Sequence, residues 1–499
     1  MHKIFRIPEI VTTIVTSATE DHDLLRSFLG VNHSFSREAI RILWDGCGTE
    51  YATSNWRRNK PTVRTLANIA SHNVLRAQVY ASCIRKLCFV RCAEDWLHIS
   101  EGEQWHDHLL ALKFPILESF TSDGRTTTTT LRTIVPGSEL DTLSIKGPFY
   151  AFRSPEREGL FWHVLRSSPV LKVIDLALDE PECFESVEAE AMEFIRTTPK
   201  LSSLSISSLY FVWHGGVDYP NNVWRPGILS LLAALPRFRK LQGQNLIAKS
   251  LQNLHEGSFP ALKELETNYT GSISILPSLF PQLSVLNLTL LNPNNEGLGR
   301  LACLSYLTHL SLKFAEGSTF SGSDLIALAH GCPHLTSVNI PSPYALMFED
   351  PCLRGEDIND ITIEAFARAL PNLKALSIGL EDRSALTHHA VFSLARYCPN
   401  LYKLHITADI SMPELIDGLK SIRYVPLQSM MFMHFCLPEQ VEHKYEDASS
   451  LAEQLVHRLA PTLKEFTIGN GSESDIELQE LVHGLMGVSG SSLSGSSAS

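Results

Sequence analysis

The chain has 499 residues, 44% of them hydrophobic and 19% charged, which suits a folded protein but is long for one compact core. Its formal net charge of −12, with no dense block of lysine and arginine, argues against a nucleic acid as the main ligand. No apolar run approaches the ~18 residues of a membrane span and no secretory leader is legible at Met1, so the ten scattered cysteines are expected to be reduced, in cytoplasm or nucleus.

The first predicted elements lie in residues 4–46. Ile7, Pro8, Glu9, Ile10 and Ile14 place a proline at a helix start with apolar residues at helical spacing behind it. Leu24, Leu25, Phe28 and Val31 follow, and then Ala39, Ile40, Leu43 and Trp44. This pattern predicts a small all-helical domain over residues 1–46, which at about 40 residues leans on a partner or a neighbouring domain. Residues 47–110 read as a helical linker, with a helix over 63–69 and a degenerate first repeat whose apolar phrase is Ile84, Leu87 and Phe89.

From residue 111 to 485 one phrase recurs: proline, any residue, leucine, two variable residues, an apolar residue, one variable residue and a second apolar residue. It is carried by Pro169, Leu171, Ile174 and Leu176, then by Pro199, Leu201, Leu204 and Ile206. Pro281, Leu283, Leu286 and Leu288 repeat it, as do Pro333, Leu335, Val338 and Ile340. Pro371, Leu373, Leu376 and Ile378, then Pro399, Leu401, Leu404 and Ile406, are nearly identical copies, and Pro461, Leu463, Phe466 and Ile468 close the series. Weaker copies fill the gaps, and the mean step is roughly 29 residues. The last two apolar positions alternate as in a strand with one buried side. The proline stands where a preceding helix must stop. Helical stretches such as 324–331 and 363–370 separate the copies, and Ser450 with Glu453 reads as a capping box opening the helix before Pro461. Each unit is strand, turn and helix, and stacked units share one core. The expected fold is an α/β leucine-rich-repeat solenoid, parallel sheet inside and helices outside, followed by a Gly/Ser-rich tail (486–499) expected to be disordered.

Two copies resemble the cysteine-containing leucine-rich repeats common in F-box proteins: Leu328, Cys332, Pro333 and Leu335, and Leu394, Cys398, Pro399 and Leu401. The amino-terminal segment is similar to a fungal-type F-box through Ile7-Pro8-Glu9, Asp23-Leu24-Leu25, Val31 and Leu43-Trp44. Asn32 stands where the family has cysteine and Phe35 where it has tryptophan. The resemblance implies a non-enzymatic substrate-recognition adaptor of an SCF-type cullin ubiquitin ligase. Ile7, Pro8, Glu9, Ile10, Ile14, Leu24, Leu25, Val31, Leu43 and Trp44 would dock a Skp-family linker protein, itself bound to a cullin scaffold. The alternative is a repeat scaffold or regulator with no ubiquitin-ligase link, its first residues a helical cap on the array.

The residue between the last two apolar positions of each phrase must face away from the core. That rule assigns Ser144, Asp175, Ser205, Glu266, Asn287, Ser311, Asn339, Ser377, His405 and Thr467 to the concave face as the substrate-binding row. Residues 210–224, with Phe211, Trp213 and Tyr219, are a candidate aromatic anchor. His106 and His108, His330 with Cys332 and His334, and the trio Cys83, Cys88 and Cys92 are metal-capable but lack zinc-site spacing. No phosphate-cradle, dinucleotide or nucleophile-elbow motif occurs, so no cofactor, metal or catalytic residue is expected, and neither nucleic acid nor membrane is an expected partner.

Overall fold

The computed structural model describes residues 7–18, 21–48, 61–89, 105–122, 134, 139–146, 165–178, 188–208, 223–291, 298–314, 319–340, 354–380, 386–408, 414–415, 418, 427–433, 448–456, 463–469 and 473–486. The chain forms two compact units, 1–244 and 245–499.

The first unit opens with three short helices, α1 (Pro8–Ser17), α2 (His22–Phe28) and α3 (His33–Leu43). Pro8 sits in the first turn of α1, where its missing N–H costs nothing. Asp21 caps α2 by accepting from the amides of Asp23 and Leu24, and Asn32 caps α3 by accepting from Ser34 and Phe35. Phe35 is buried against Phe28, ring centroids 5.4 Å apart. Then come β1 (Gly46–Gly48), α4 (Val63–His72), α5 (Val74–Ala81), β2 (Lys86–Phe89), α6 (Trp105–Leu110), β3 (Ser119–Ser122), β4 (Thr142–Lys146) and β5 (Val173–Leu178). The unit closes with α7 (Glu188–Thr197), β6 (Ser203–Ser208), α8 (Pro226–Ala233) and β7 (Lys240–Leu246). The strands are parallel and ordered β1 to β7 by sequence.

The strand ladder therefore starts at Gly46, one strand ahead of the degenerate first repeat expected at Ile84, Leu87 and Phe89. β1 and β2 are short, and β1 has Cys47, between two glycines, where later copies have leucine, so its sequence lacks the phrase. Ile84, Leu87 and Phe89 are buried, as a degenerate repeat requires.

The second unit contains α9 (Ala248–Leu251), β8 (Glu264–Tyr269), α10 (Leu276–Leu279), β9 (Val285–Leu290), a 3₁₀ segment (Leu298–Cys303) and β10 (His309–Phe314). A short β11 (Thr319–Ser321) leads into α11 (Gly322–Gly331) and β12 (Ser337–Ile340); β13 (Arg354–Glu356) leads into α12 (Asp360–Ala369) and β14 (Ala375–Ile378). The remainder is α13 (His388–Tyr397), β15 (Lys403–Thr407), β16 (Ser429–Met433), α14 (Ala448–Gln454), β17 (Glu465–Gly469) and α15 (Glu473–Leu485). Its main sheet runs β8, β9, β10, β12, β14, β15, β16, β17, all parallel, with β11 and β13 paired separately. Ser450 is no N-cap: α14 begins at Ala448, and the Ser450 hydroxyl accepts from the Gln454 amide at 3.2 Å.

The repeat phrase explains this order. Leu171, Ile174 and Leu176 are buried in the first unit, and Leu373, Leu376 and Ile378 in the second. Burying one leucine side chain contributes about 1.5–3 kcal/mol, and the phrase supplies three apolar side chains per repeat. Within each unit, spacing between repeats is set by the main chain. Just before a strand, one carbonyl accepts two amides of the next repeat: Lys172 O from Ser202 N (2.8 Å) and Ser203 N (3.0 Å), and Thr336 O from Lys374 N (2.8 Å) and Ala375 N (3.0 Å). The cysteines stitch the helix ends together. Cys332 Sγ donates to Leu301 O at 3.5 Å and Cys398 Sγ to Leu370 O at 3.5 Å, each reaching the preceding repeat. Burial pushes both thiols up to about 12, so they act as inert core groups. The equivalent position before Pro169 has a hydroxyl instead, and Ser168 Oγ is buried without a partner.

Candidate functional site: two protein-facing surfaces

The three amino-terminal helices divide the expected docking residues into two groups. Ile7 (44% exposed), Leu24 (42%) and Val31 (48%) reach solvent together with Pro8 and Glu9, and Leu29 joins them at 40%. Ile10 and Ile14 are half-buried. Leu25, Leu43 and Trp44 are interior. Helical periodicity explains the division: Leu24 and Leu25 are adjacent on α2 and so project about 100° apart, and only Leu25 points at the bundle core. Trp44 stacks flat on Tyr80 of the following helix pair, centroids 4.8 Å apart and planes 2° from parallel. These three side chains hold the bundle together and tie it to α5; they are not available to a partner in this conformation.

The concave residues fall on a register ladder within each unit. In the first, Ser144 pairs with Asp175 and Asp175 with Ser205. The same row begins with Gly48, Cys88 and Thr121 and ends with Gln242, none of them in the expected set. Ser144 Oγ donates to the Asp175 carboxylate at 3.1 Å across adjacent strands. In the second unit the row runs Glu266, Asn287, Ser311, Asn339, Ser377, His405, Met431 and Thr467. Met431 was missed because its copy is irregular, yet the rule that found the others also finds it. Asn339 donates to Ser311 Oγ at 3.0 Å.

The row is not uniformly open. Glu266 is exposed, whereas Ser205, Ser377, His405 and Met431 are buried. The hydroxyls of Ser205 and Ser377 and the Asn339 side-chain oxygen are buried without a hydrogen-bond partner. His405 belongs to a relay: its Nε2 lies 2.9 Å from Ser429 Oγ, which donates to Glu465 Oε2 at 2.7 Å. Because the serine proton is committed to the carboxylate, Ser429 accepts from the Nε2–H tautomer and the ring is no base toward it. Burial first, and then the nearby Lys403 ammonium, hold His405 down to about 4; Glu465 opposes them.

The metal-capable sets are not brought together. Among the described residues no group of three or more His, Cys, Asp or Glu side chains is placed to hold a metal. Cys332 is a core residue, and His334 is exposed. Cys92 lies outside the described residues, as do Phe211, Trp213 and Tyr219 of the expected aromatic anchor; Trp224 at its end is fully buried. No described helix is long and apolar enough to cross a membrane.

No known family profile matches the sequence, and no curated protein matches it. Similar folds occur among solved structures. A leucine-rich-repeat protein of Leptospira interrogans, LIC12759, aligns at 13% identity over 80% of this chain and 82% of that one, with a TM-score of 0.35. The crystal structure of the Rad7 and Elc1 complex in yeast aligns at 13% identity over 92% of this chain and 94% of that one, with a TM-score of 0.40. The leucine-rich-repeat protein LegL7 of Legionella pneumophila aligns at 12% identity over 74% and 98%, with a TM-score of 0.27.

Proposed function

We propose that the chain is a substrate-recognition adaptor of a cullin-type ubiquitin ligase. Its amino-terminal helices dock a Skp-family linker protein, and its repeats hold a protein substrate, in the cytoplasm, the nucleus or both. The transfer chemistry belongs to other subunits. The observation that carries this reading is the exposure of four apolar side chains, Ile7, Leu24, Leu29 and Val31, on a helical unit whose core is formed by Leu25, Phe35, Leu43 and Trp44. A solvated cap has no need of four exposed apolar residues so close in the chain, whereas a docking surface does. The F-box-like order that includes Ile7, Leu24 and Val31 supports it.

Co-purification with a Skp-family protein tests the reading. Leu24→Glu with Pro8→Glu is expected to abolish capture while leaving the far-ultraviolet dichroism unchanged. Leu25→Glu is uninformative because it also breaks the core. Failure of the unmodified chain to retain any Skp-family protein at micromolar concentration sinks the proposal.

A second reading, a free-standing scaffold capped by these helices, is favoured by the Trp44–Tyr80 stack, which ties the bundle to α5. Under it, removal of residues 1–46 makes the array aggregate without loss of a specific partner.

A further inference from the structure

Three adjacent repeats of the first unit carry a cluster of cations that the net charge of −12 does not foretell. Lys200, Arg237 and Arg239 are exposed and, among the described residues, form no ion pair. Lys240 is half-buried beside them, and Lys172 is exposed but paired with Asp141 at 3.1 Å. Lys172, Ser202 and Arg239 are consecutive rungs of the main-chain ladder, since Ser202 N donates to Lys172 O at 2.8 Å and Arg239 N to Ser202 O at 2.7 Å. Lys200 and Arg237 each stand two residues ahead of a rung, one strand spacing apart, about 4.8 Å. Glu193, the acidic group at the end of α7, is already paired with Arg196 at 3.4 Å.

A structural reason for these cations is available and does not suffice. Lys200 and Arg237 follow the carboxyl ends of α7 and α8, where a positive charge complements the helix dipole. The equivalent positions of the second unit are Ala261, Gln282, Tyr306, His334, Asn372, Asn400, Pro426 and Thr462, however, none a lysine or arginine. The repeat closes its helix ends without such a charge, so Lys200 and Arg237 are a local specialisation of the first unit, whereas the rung position of Arg239 is also cationic at Lys263, Lys374 and Lys464.

We infer that Lys200, Arg237 and Arg239 form a docking surface for an acidic segment of a partner protein, one bearing several aspartate or glutamate side chains. The exposed cations come from successive repeats of the ladder, Lys200 from one and Arg237 with Arg239 from the next. An arrangement of that kind matches carboxylates distributed along a chain better than a single phosphate, which needs convergent donors. Arginine at two of the three positions permits bidentate carboxylate pairing. The inference does not depend on the amino-terminal helices docking a linker, and its test uses the purified chain alone.

The probe is a fluorescein-labelled peptide of alternating glutamate and serine, followed by fluorescence anisotropy against the full chain. Controls are the same peptide with glutamine for glutamate, one with phosphoserine replacing the serines and glutamine the glutamates, and a single-stranded oligonucleotide of equal charge. The glutamate peptide is expected to bind with a Kd below about 1 mM at low salt. Its affinity should fall at least about fivefold between roughly 50 and 300 mM NaCl, as surface ion pairs do. The triple variant Lys200→Glu, Arg237→Glu, Arg239→Glu should weaken it at least about tenfold, whereas Arg237→Lys with Arg239→Lys should keep most of it. An unchanged melting temperature in the triple variant shows that the loss is one of charge and not of fold; if that variant unfolds, Lys200→Gln with Arg237→Gln reads the same loss. The inference is overturned if the glutamine peptide binds equally, if the charge changes leave affinity intact, or if the phosphoserine peptide or the oligonucleotide binds more tightly through these residues.

Discussion

At the scale of single residues the informative group is His405. Its ring is buried on the concave row, donates to Ser429 and is held down to about 4 by burial and by Lys403. An unfolded histidine titrates near 6.5. The folded value is depressed, so the neutral ring contributes stability that is complete above about 6.5 and is lost as the pH falls toward 4. Between pH 7 and pH 5 the loss is roughly 2 kcal/mol. Urea unfolding at pH 7 and pH 5 should therefore show a loss at the lower pH, and His405→Gln should flatten that difference. An equal loss in the variant would assign the acid sensitivity elsewhere; His388, whose value is lowered by burial and then by His389, is the next candidate. Asn32 shows how a departure from the family pattern acquires a role, since its side chain caps α3.

Among the elements, β7 departs furthest from its neighbours. Gly243 is paired with Ile206 in register, where most other strands place an apolar side chain facing the core. It has φ +108°, and a Cβ built on it would lie 1.7 Å from the Ile206 carbonyl oxygen. Gly243→Ala therefore forces the backbones of β6 and β7 apart. It is expected to cost about 2–4 kcal/mol by urea denaturation, while Gln242→Ala next to it costs under about 1 kcal/mol. That strand explains what the sequence makes legible and what it hides. Leu373, Leu376 and Ile378 announce β14 because a two-residue alternation admits one reading. Phe238 and Leu241 announce only the front of β7, because the missing side chain at 243 reflects a backbone conformation. The short β1 is silent for a related reason: Cys47 takes the leucine position between two glycines, so the strand forms without presenting the phrase. The concave row was readable wherever the phrase was regular and was lost at Met431 where it was not. Burial along that row was not readable, because local alternation says which way a side chain faces and nothing of what lies over it. The division of Leu24 from Leu25 likewise depends on how three helices pack.

At the scale of the molecule, a repeat array is stabilised by nearest-neighbour interfaces, so damage stays local. Leu376 is fully buried in the second unit, and Leu376→Ala should cost about 2–5 kcal/mol. Amide exchange should rise first in Ser337–Ile340 and Lys403–Thr407, the strands on either side, and least in the first unit. A uniform rise across both units contradicts this one-dimensional picture. The shared carbonyl before each strand carries a broader consequence. Rungs inside each unit, such as Lys172 and Thr336, use only main-chain groups, taking two amides from the repeat after and giving two to the repeat before. Removing or duplicating one whole repeat therefore leaves every donor with an acceptor, while a gain or loss of part of a repeat strands two amides inside the protein. The length of such a chain is quantised: it can change by whole rungs, and the surface that rides on them can be lengthened or shortened without redesign of the interior.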